Sequence, residues 1–320
     1  MPRGTPSRKA RAKREGPQCA PASSVAAKPT RDFEQTPFFR SLNADRYARQ
    51  DMIRRIEDKT GRRLVIYEAN EGHSRAAITS DDIRCFGDLI DPLPQDCALD
   101  LMIHSPGGDI DAAEKIVYMC RRVSKSFRVI VPEMAKSAAT LIALASDVIL
   151  MGLESELGPI DTQIRGPGPG GATVQHSARS FVDAFNDIKR EVARTGALSP
   201  AYYPLLTGIT IGFLEWCKNA SKRTENFAAK WLKRYMCEGN DRKAKKIARE
   251  LSDVKRWRTH GAVIDAEEAK QLGIKVDNLH RNDELWQDTW FLHCCYRTEM
   301  TRTPHLAKLF ESDRVSLPCE

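Results

Sequence analysis

The stretch from Ala98 to Gln163 constrains this chain more than any other. It opens with ALDLMIHSPGGDIDAAEKI, continues through FRVIVPEMAKSAATLIALASDVILMG and closes with ELGPIDTQ. Two apolar runs of strand length, Ala98 to His104 and FRVIVP, each end in a polar turn. Each turn leads at once into a small-residue segment suited to helix. Alternation of this kind calls for an α/β fold, a sheet with crossover helices. Such folds keep their chemistry at the turns that leave the strands.

The flanks extend the pattern. From Phe33 to about Lys59 apolar residues recur at spacings of three and four, which predicts helix with Gly61 as its stop. RRLVIYEA reads as a strand, and ITSDDIRCFGDLIDPL as a helix opened by a Ser/Asp cap. Residues 177 to 257 read as mainly helical with a break near LSPAYYP, and NDRKAKKIARELSDVKRW as an amphipathic helix with a solvated face. The two tryptophans of ELWQDTWFLHCCYR are accounted for by core packing, with a subunit interface as the other reading.

Charge excludes one function class for the body of the protein. The net charge is +7, but residues 1–31 hold eight Lys/Arg against one Glu, so the remaining 42 basic and 42 acidic side chains balance. A nucleic-acid site needs a concentrated basic face, and only the tail offers one. That tail, residues 1–32, has the Pro-, Ser- and Arg-rich composition of a disordered segment. No apolar h-region follows the N-terminal charges, and the longest apolar stretch, Ala138 to Gly152, is interrupted by Ser146 and Asp147 and too short to span a bilayer. The nine cysteines are scattered without a CxxC, which indicates reduced thiols in a cytoplasmic setting, with no disulfide framework and no zinc or other metal site among them.

Two turns carry the chemistry. In SPGG, Gly107 and Gly108 leave amide N–H groups uncovered by side chains, and Asp109 and Asp111 fall where negative charge favours a helix start. After FRVIVP, Ser137 sits among Ala135, Ala138 and Ala139 at a strand-to-helix junction. There a hydroxyl is accessible and the helix start supplies free amide donors. A plain helix cap is the alternative role for Ser137. RGPGPGGA, residues 165–172, reads as a loop, placed where a lid or substrate groove falls.

SPGG, VPEMAKSAATLIALASDVILMG and LGPIDTQ, in this order and spacing, resemble the serine dehydrogenase proteinase family. That family is similar to Clp-type and signal-peptide-peptidase-A-type serine peptidases with a crotonase-like spiral of ββα units. The likeness runs over roughly residues 45 to 280, through RTHGAVIDAEEAKQLGI. It implies a serine endopeptidase without cofactor, acting on protein or peptide and assembling as a homo-oligomer, with a body at 33–285 and an extension at 286–320. It further implies Ser137 as nucleophile and Gly107 or Gly108 with the amide of Ala138 as oxyanion hole. His260 is the better candidate for the base, with Asp161 orienting it or only structuring the turn, and with a hydrogen-bonded loop histidine as the other reading of His260; Lys189 and His176 are the other candidates. Two positions depart from the family's pattern. Lys136 stands where an apolar residue is usual, bringing an ammonium that would favour acidic substrates or depress a neighbouring pKa, and Ala139 stands where glycine is common. Those departures keep a catalytically inactive Clp-like scaffold in view. A crotonase-type acyl-thioester enzyme is the third reading, against which the small-residue turn around Ser137 argues.

Overall fold

The computed structural model describes Met1, Gly4, residues 36–167 and residues 173–320. The rest of the basic tail and the glycine-rich centre of the 165–172 loop lie outside those residues. The chain divides into two units, Met1–Leu42 and Asn43–Glu320. In the first, α1 (Pro37–Leu42) is a short helix with no buried residue.

The second unit begins with α2 (Ala44–Thr60), which stops where expected, at Gly61 with φ +65°. Then follow β1 (Arg63–Ala69), α3 (Asp82–Ile90), β2 (Cys97–His104), α4 (Ile110–Val123) and β3 (Ser124–Val131). The two-residue β4 (Met134–Ala135) leads to α5 (Ala138–Leu144), β5 (Val148–Met151) and β6 (Glu156–Leu157). A hairpin of β7 (Gln163–Pro167) and β8 (Thr173–Ser177) precedes α6 (Ala178–Thr195), α7 (Tyr203–Leu206), α8 (Ile211–Arg234), α9 (Asp241–Leu251) and α10 (Val254–Trp257). The chain closes with α11 (Ala266–Leu272), β9 (Val276–Asn278), α12 (Glu284–Arg302), β10 (Lys308–Glu311) and β11 (Ser316–Cys319).

Seven strands form one sheet in the order β11-β10-β1-β2-β3-β5-β9. The run from β1 to β9 is parallel, and β10 returns antiparallel to β1. Residues 308–319, read from sequence as part of an extension, thus belong to the central sheet. A parallel sheet is covered on both faces, which is why its strands read as unbroken apolar runs. On one face Val65, Leu101, Ile103 and Val129 pack under α3, α4, α5 and α8. On the other, Leu64, Ile66, Met102 and Ile130 meet Ile53 and Ile56 of α2 and Leu292, Tyr296 and Met300 of α12. Trp286, expected in the core, is buried and stacks on Trp290. No helix among the described residues is long and apolar enough to cross a membrane.

Polar groups hold this core at fixed points. Asp109 caps α4, accepting from the amides of Asp111 and Ala112. Asp81 and Ser80 give α3 no side-chain cap; instead the buried Asp82 takes the Thr79 amide, the Tyr67 hydroxyl and the Lys308 ammonium, the last at 2.6 Å. On β2, Asp100 is 1% exposed and is held by Arg128 at 2.6 and 2.9 Å and by Arg62, which also donates to Leu99 and Ser126 carbonyls. This clamp crosses from the start of β1 to β3. Asp100→Ala strips both guanidiniums of the buried carboxylate they share and is expected to cost about 3 kcal/mol, measurable as a lower urea midpoint.

Candidate active site

Ser137 begins α5 in a conformation that L-residues seldom adopt, φ +52° and ψ −116°. Holding a non-glycine residue there costs on the order of 1–3 kcal/mol, and such strain persists only where the surroundings impose it. The imposing groups are identifiable. Ala139 N–H bonds the Lys136 carbonyl at 2.9 Å, Leu141 N–H bonds the Ser137 carbonyl at 3.1 Å, and Thr140 Oγ1 donates to the Ala135 carbonyl at 2.6 Å. The Ser137 hydroxyl caps nothing: it makes no hydrogen bond among the described residues and is half-buried. The plain-cap role is therefore absent. Ala139 is wholly buried in the core beneath α5, so its methyl faces packing and not the turn's open side.

The glycine turn lies directly against this serine. Gly107 has φ +94°, and a β-carbon there would fall 2.5 Å from the Lys136 carbonyl oxygen and 2.8 Å from Ser137 Cβ. Gly108, at φ +151°, would drive a β-carbon into the backbone of Ile78, whose amide and carbonyl bond to either side of the turn. The Gly107 amide donates to Ser105 Oγ at 3.1 Å. Among the described residues the amides of Gly108 and Ala138 have no acceptor. Of the two glycines, Gly108 is the one with a donor to spare.

Lys136 is bound up differently from what the sequence suggests. Its ammonium is 2.8 Å from Glu156 Oε1 and donates to the carbonyls of Leu157 at 3.2 Å and Ala262 at 3.1 Å. Its charge is thus matched by Glu156 and its donors are spent, so it tethers instead of attracting acidic substrates. Gly158 makes room for its stem, since a β-carbon there would sit 2.6 Å from Lys136 Cδ. The tether pins the segment carrying His260 to the turn carrying Ser137, and a backbone pair between Leu157 and Ile264 fixes the same segment again.

His260 follows a tight turn in which Arg258 takes φ +62° and Trp257 anchors its indole N–H on the Glu250 carbonyl at 2.8 Å. Its Nδ1 lies 2.8 Å from Asp161 Oδ1, and Asp161 is 6% exposed and also accepts from Gln163 Nε2. A carboxylate on Nδ1 fixes the ring's orientation and leaves Nε2 as the free base. Both residues line a cleft of about 660 Å³, shared with His176 of β8, Asp183 and Asp187 of α6, and Arg258. His176 is exposed, its ring edge-on to Phe181. Lys189 is exposed on α6 without an ion pair among the described residues. None of His260, Asp161, Lys189 and His176 is hydrogen-bonded to the Ser137 hydroxyl among the described residues. Glu156, Gln163 and Trp257, which hold the candidate groups in place, carry no sequence signal of that role.

A strained serine beside spare amides, with a carboxylate-oriented imidazole on a tethered neighbouring segment, is equipped for acyl transfer. Comparison with known proteins agrees in kind. Residues 39–188 match the family described as ClpP-like SDH-type serine proteinases. The matched stretch holds Gly107, Gly108, Ser137 and Asp161; His260 lies beyond it. Two uncharacterized proteins of Methanocaldococcus jannaschii are similar. MJ0137 is 35% identical over 201 residues, 62% of this chain and 60% of that protein. MJ1495 is 32% identical over 185 residues, 58% of this chain and 53% of that protein. The chain therefore spans little more than half the length of these relatives. Among solved structures, the 1510-N membrane-bound stomatin-specific protease is 16% identical over 71% of this chain and 84% of that one, with a TM-score of 0.39. A ClpP1 mutant from Listeria monocytogenes is 13% identical over 72% of this chain and 99% of that one, with a TM-score of 0.36.

The contact between the two turns is testable by volume. Gly107→Ala is expected to destabilise the protein by at least about 2 kcal/mol, because at a positive φ a methyl meets the Lys136 carbonyl, the Ala138 amide and the Ser137 Cβ. Gly61→Ala, with φ +65° but nothing within 4 Å, bears only the left-handed cost of about 1 kcal/mol. Thermal unfolding of the two variants side by side checks the difference.

Proposed function

We propose that this protein is a serine peptidase that cleaves peptide bonds through an acyl-enzyme on Ser137. The observation that carries the reading is Ser137 at φ +52° with an uncapped hydroxyl, its Cβ packed beside Gly107 of the glycine turn. Strain of this type presents a hydroxyl clear of its own backbone, as at a nucleophile elbow. His260 Nε2 takes the hydroxyl proton as Ser137 Oγ attacks the scissile carbonyl, and Asp161 steadies the imidazolium through Nδ1. The amides of Gly108 and Ala138 hold the oxyanion. His260 then returns the proton to the leaving amine, and water, activated by the same ring, releases the acyl group.

Ser137 is not among the residues lining the cleft around His260 and Asp161; in this scheme the Ser137–His260 hydrogen bond forms when substrate binds, as catalytic hydrogen bonds commonly tighten in the Michaelis complex. Lys136 takes no proton in this scheme, since its ammonium is committed to Glu156 and two carbonyls. The reading includes a reduced, cytoplasmic setting and assembly with further copies of the chain. The described cysteines are all free, which supports the first of these.

Labelling of the full chain with a fluorophosphonate probe tests the proposal. Wild type is expected to label, Ser137→Ala not at all, and His260→Ala at a rate lower by on the order of a thousandfold or more. Asp161→Asn is expected to slow acylation by on the order of a thousandfold or more while leaving the fold intact. Labelling that persists in Ser137→Ala sinks the assignment. A wild type that never labels, under reducing conditions and across neutral pH, leaves the chain an inactive Clp-like scaffold.

A further inference from the structure

A second constellation lies at the same strand ends, on the face of the sheet covered by α2 and α12, and the proposed hydrolysis makes no use of it. Glu68 near the end of β1 and His104 at the end of β2 are register partners, and His293 comes from α12. Their relative exposures are 0%, 0% and 1%. One potential ligand atom from each lies within 4.8 Å of the others.

The hydrogen bonding is lopsided in an informative way. Each ring has its outer nitrogen engaged by a carboxylate: His104 Nε2 is 3.2 Å from Glu71 Oε2, and His293 Nε2 is 3.0 Å from Glu133 Oε2. The inner nitrogens have no hydrogen-bond partner, and neither has either oxygen of Glu68. His293 Nδ1 is 3.0 Å from Glu68 Oε1, but off the hydrogen-bond direction. A fully buried carboxylate with both oxygens unsatisfied is costly, and it calls for a partner of opposite charge.

We propose that Glu68, His104 and His293 form a binding site for a divalent transition-metal ion, with zinc the ion that fits the donor set. Two imidazole nitrogens and one carboxylate oxygen are borderline ligands of the kind zinc takes, at bonds of about 2.0–2.2 Å. Tetrahedral bonds of that length set ligand atoms about 3.3–3.5 Å apart, so the three groups need close by little more than an ångström. Glu71 and Glu133 supply the outer carboxylates that fix the ring tautomers so that Nδ1 offers its lone pair. Glu133 Oε2, 3.7 Å from His104 Nδ1, borders the fourth position.

The ion's role is structural. It joins the ends of β1 and β2 to α12, and His104 immediately precedes Ser105, Pro106 and the glycine turn, so the ion braces the strand from which that turn springs. The inference stands whether or not Ser137 is a nucleophile. The competing occupant is a proton. Burial alone would lower the His293 pKa, but the charges of Glu68 and Glu133 raise it to about 9, and an imidazolium between two carboxylates would then fill the gap.

Chelator-stripped full-length protein titrated with Zn²⁺ by calorimetry, and with Co²⁺ by visible absorption, separates the two. The expected result is one site per chain, a tetrahedral Co²⁺ spectrum that Zn²⁺ displaces, and a Tm that rises on loading. Glu68→Gln, which keeps the side chain's shape, is expected to weaken Zn²⁺ binding by about a hundredfold or more, and Glu71→Gln, acting through His104, by about 10–100-fold. His305→Gln, at an exposed histidine, is expected to bind as wild type. Should Glu68→Gln fail to fold by circular dichroism, Glu71→Gln, whose residue is partly exposed, carries the comparison. Folded wild type that takes up neither ion stoichiometrically, or binding unchanged in both Glu68→Gln and Glu71→Gln, overturns the site and leaves the imidazolium.

Discussion

A parallel sheet covered by helices on both faces leaves only its strand ends free for chemistry, and the rest of this structure follows from that constraint. β1, β2 and β3 stop together, and the next residues are the ones with something to do. After β2 comes Ser105-Pro106-Gly107-Gly108; after β3 comes Glu133 and then the Ser137 turn. Because neighbouring side chains on a strand point to opposite faces, the strand ends feed two sides. The α5 side receives the serine and the glycine turn, while the α12 side receives Glu68 and His104.

Lys136 shows how local context changes the meaning of a residue. An ammonium beside a serine suggests an electrostatic effect on that serine. Its three acceptors instead make it a strut between β6, the Ser137 turn and the segment leading from His260. Glu156 neutralises the charge that the strut requires, and Gly158 supplies the space. The segments carrying His260 and Ser137 are thereby linked by a residue that does no chemistry in the scheme, with room made for it by a glycine outside the positive-φ region.

The fold was legible because its signals are local. The apolar runs of β1, β2 and β3, the Gly61 stop and the Asp109 cap each need only a few neighbouring residues to declare themselves. The Ser137 turn was legible as a place, from its small flanking residues, but not as a strained one, since φ depends on the two elements it joins. Asp161 and His260 meet across 99 positions, a separation that no local sequence pattern spans and that only family resemblance bridges. Glu68, His104 and His293 gave no signal. Each stands alone within an otherwise ordinary strand or helix, with no motif spacing, and only the packing of α12 over the strand ends brings them together.

The return of β10 to β1 carries a consequence for the order of assembly. Ile66 pairs with Glu311 and Ala69 with Lys308, antiparallel, across almost the whole chain. Until those late residues are made, β1 is an edge strand with apolar side chains on both faces and an open row of backbone donors and acceptors. The Arg49–Glu311 and Asp82–Lys308 ion pairs, both buried, wait on the same event. Closure of so long a loop is slow compared with helix formation. A chain emerging from the ribosome therefore carries β1 as an unpaired sheet edge until residues 308–311 are made.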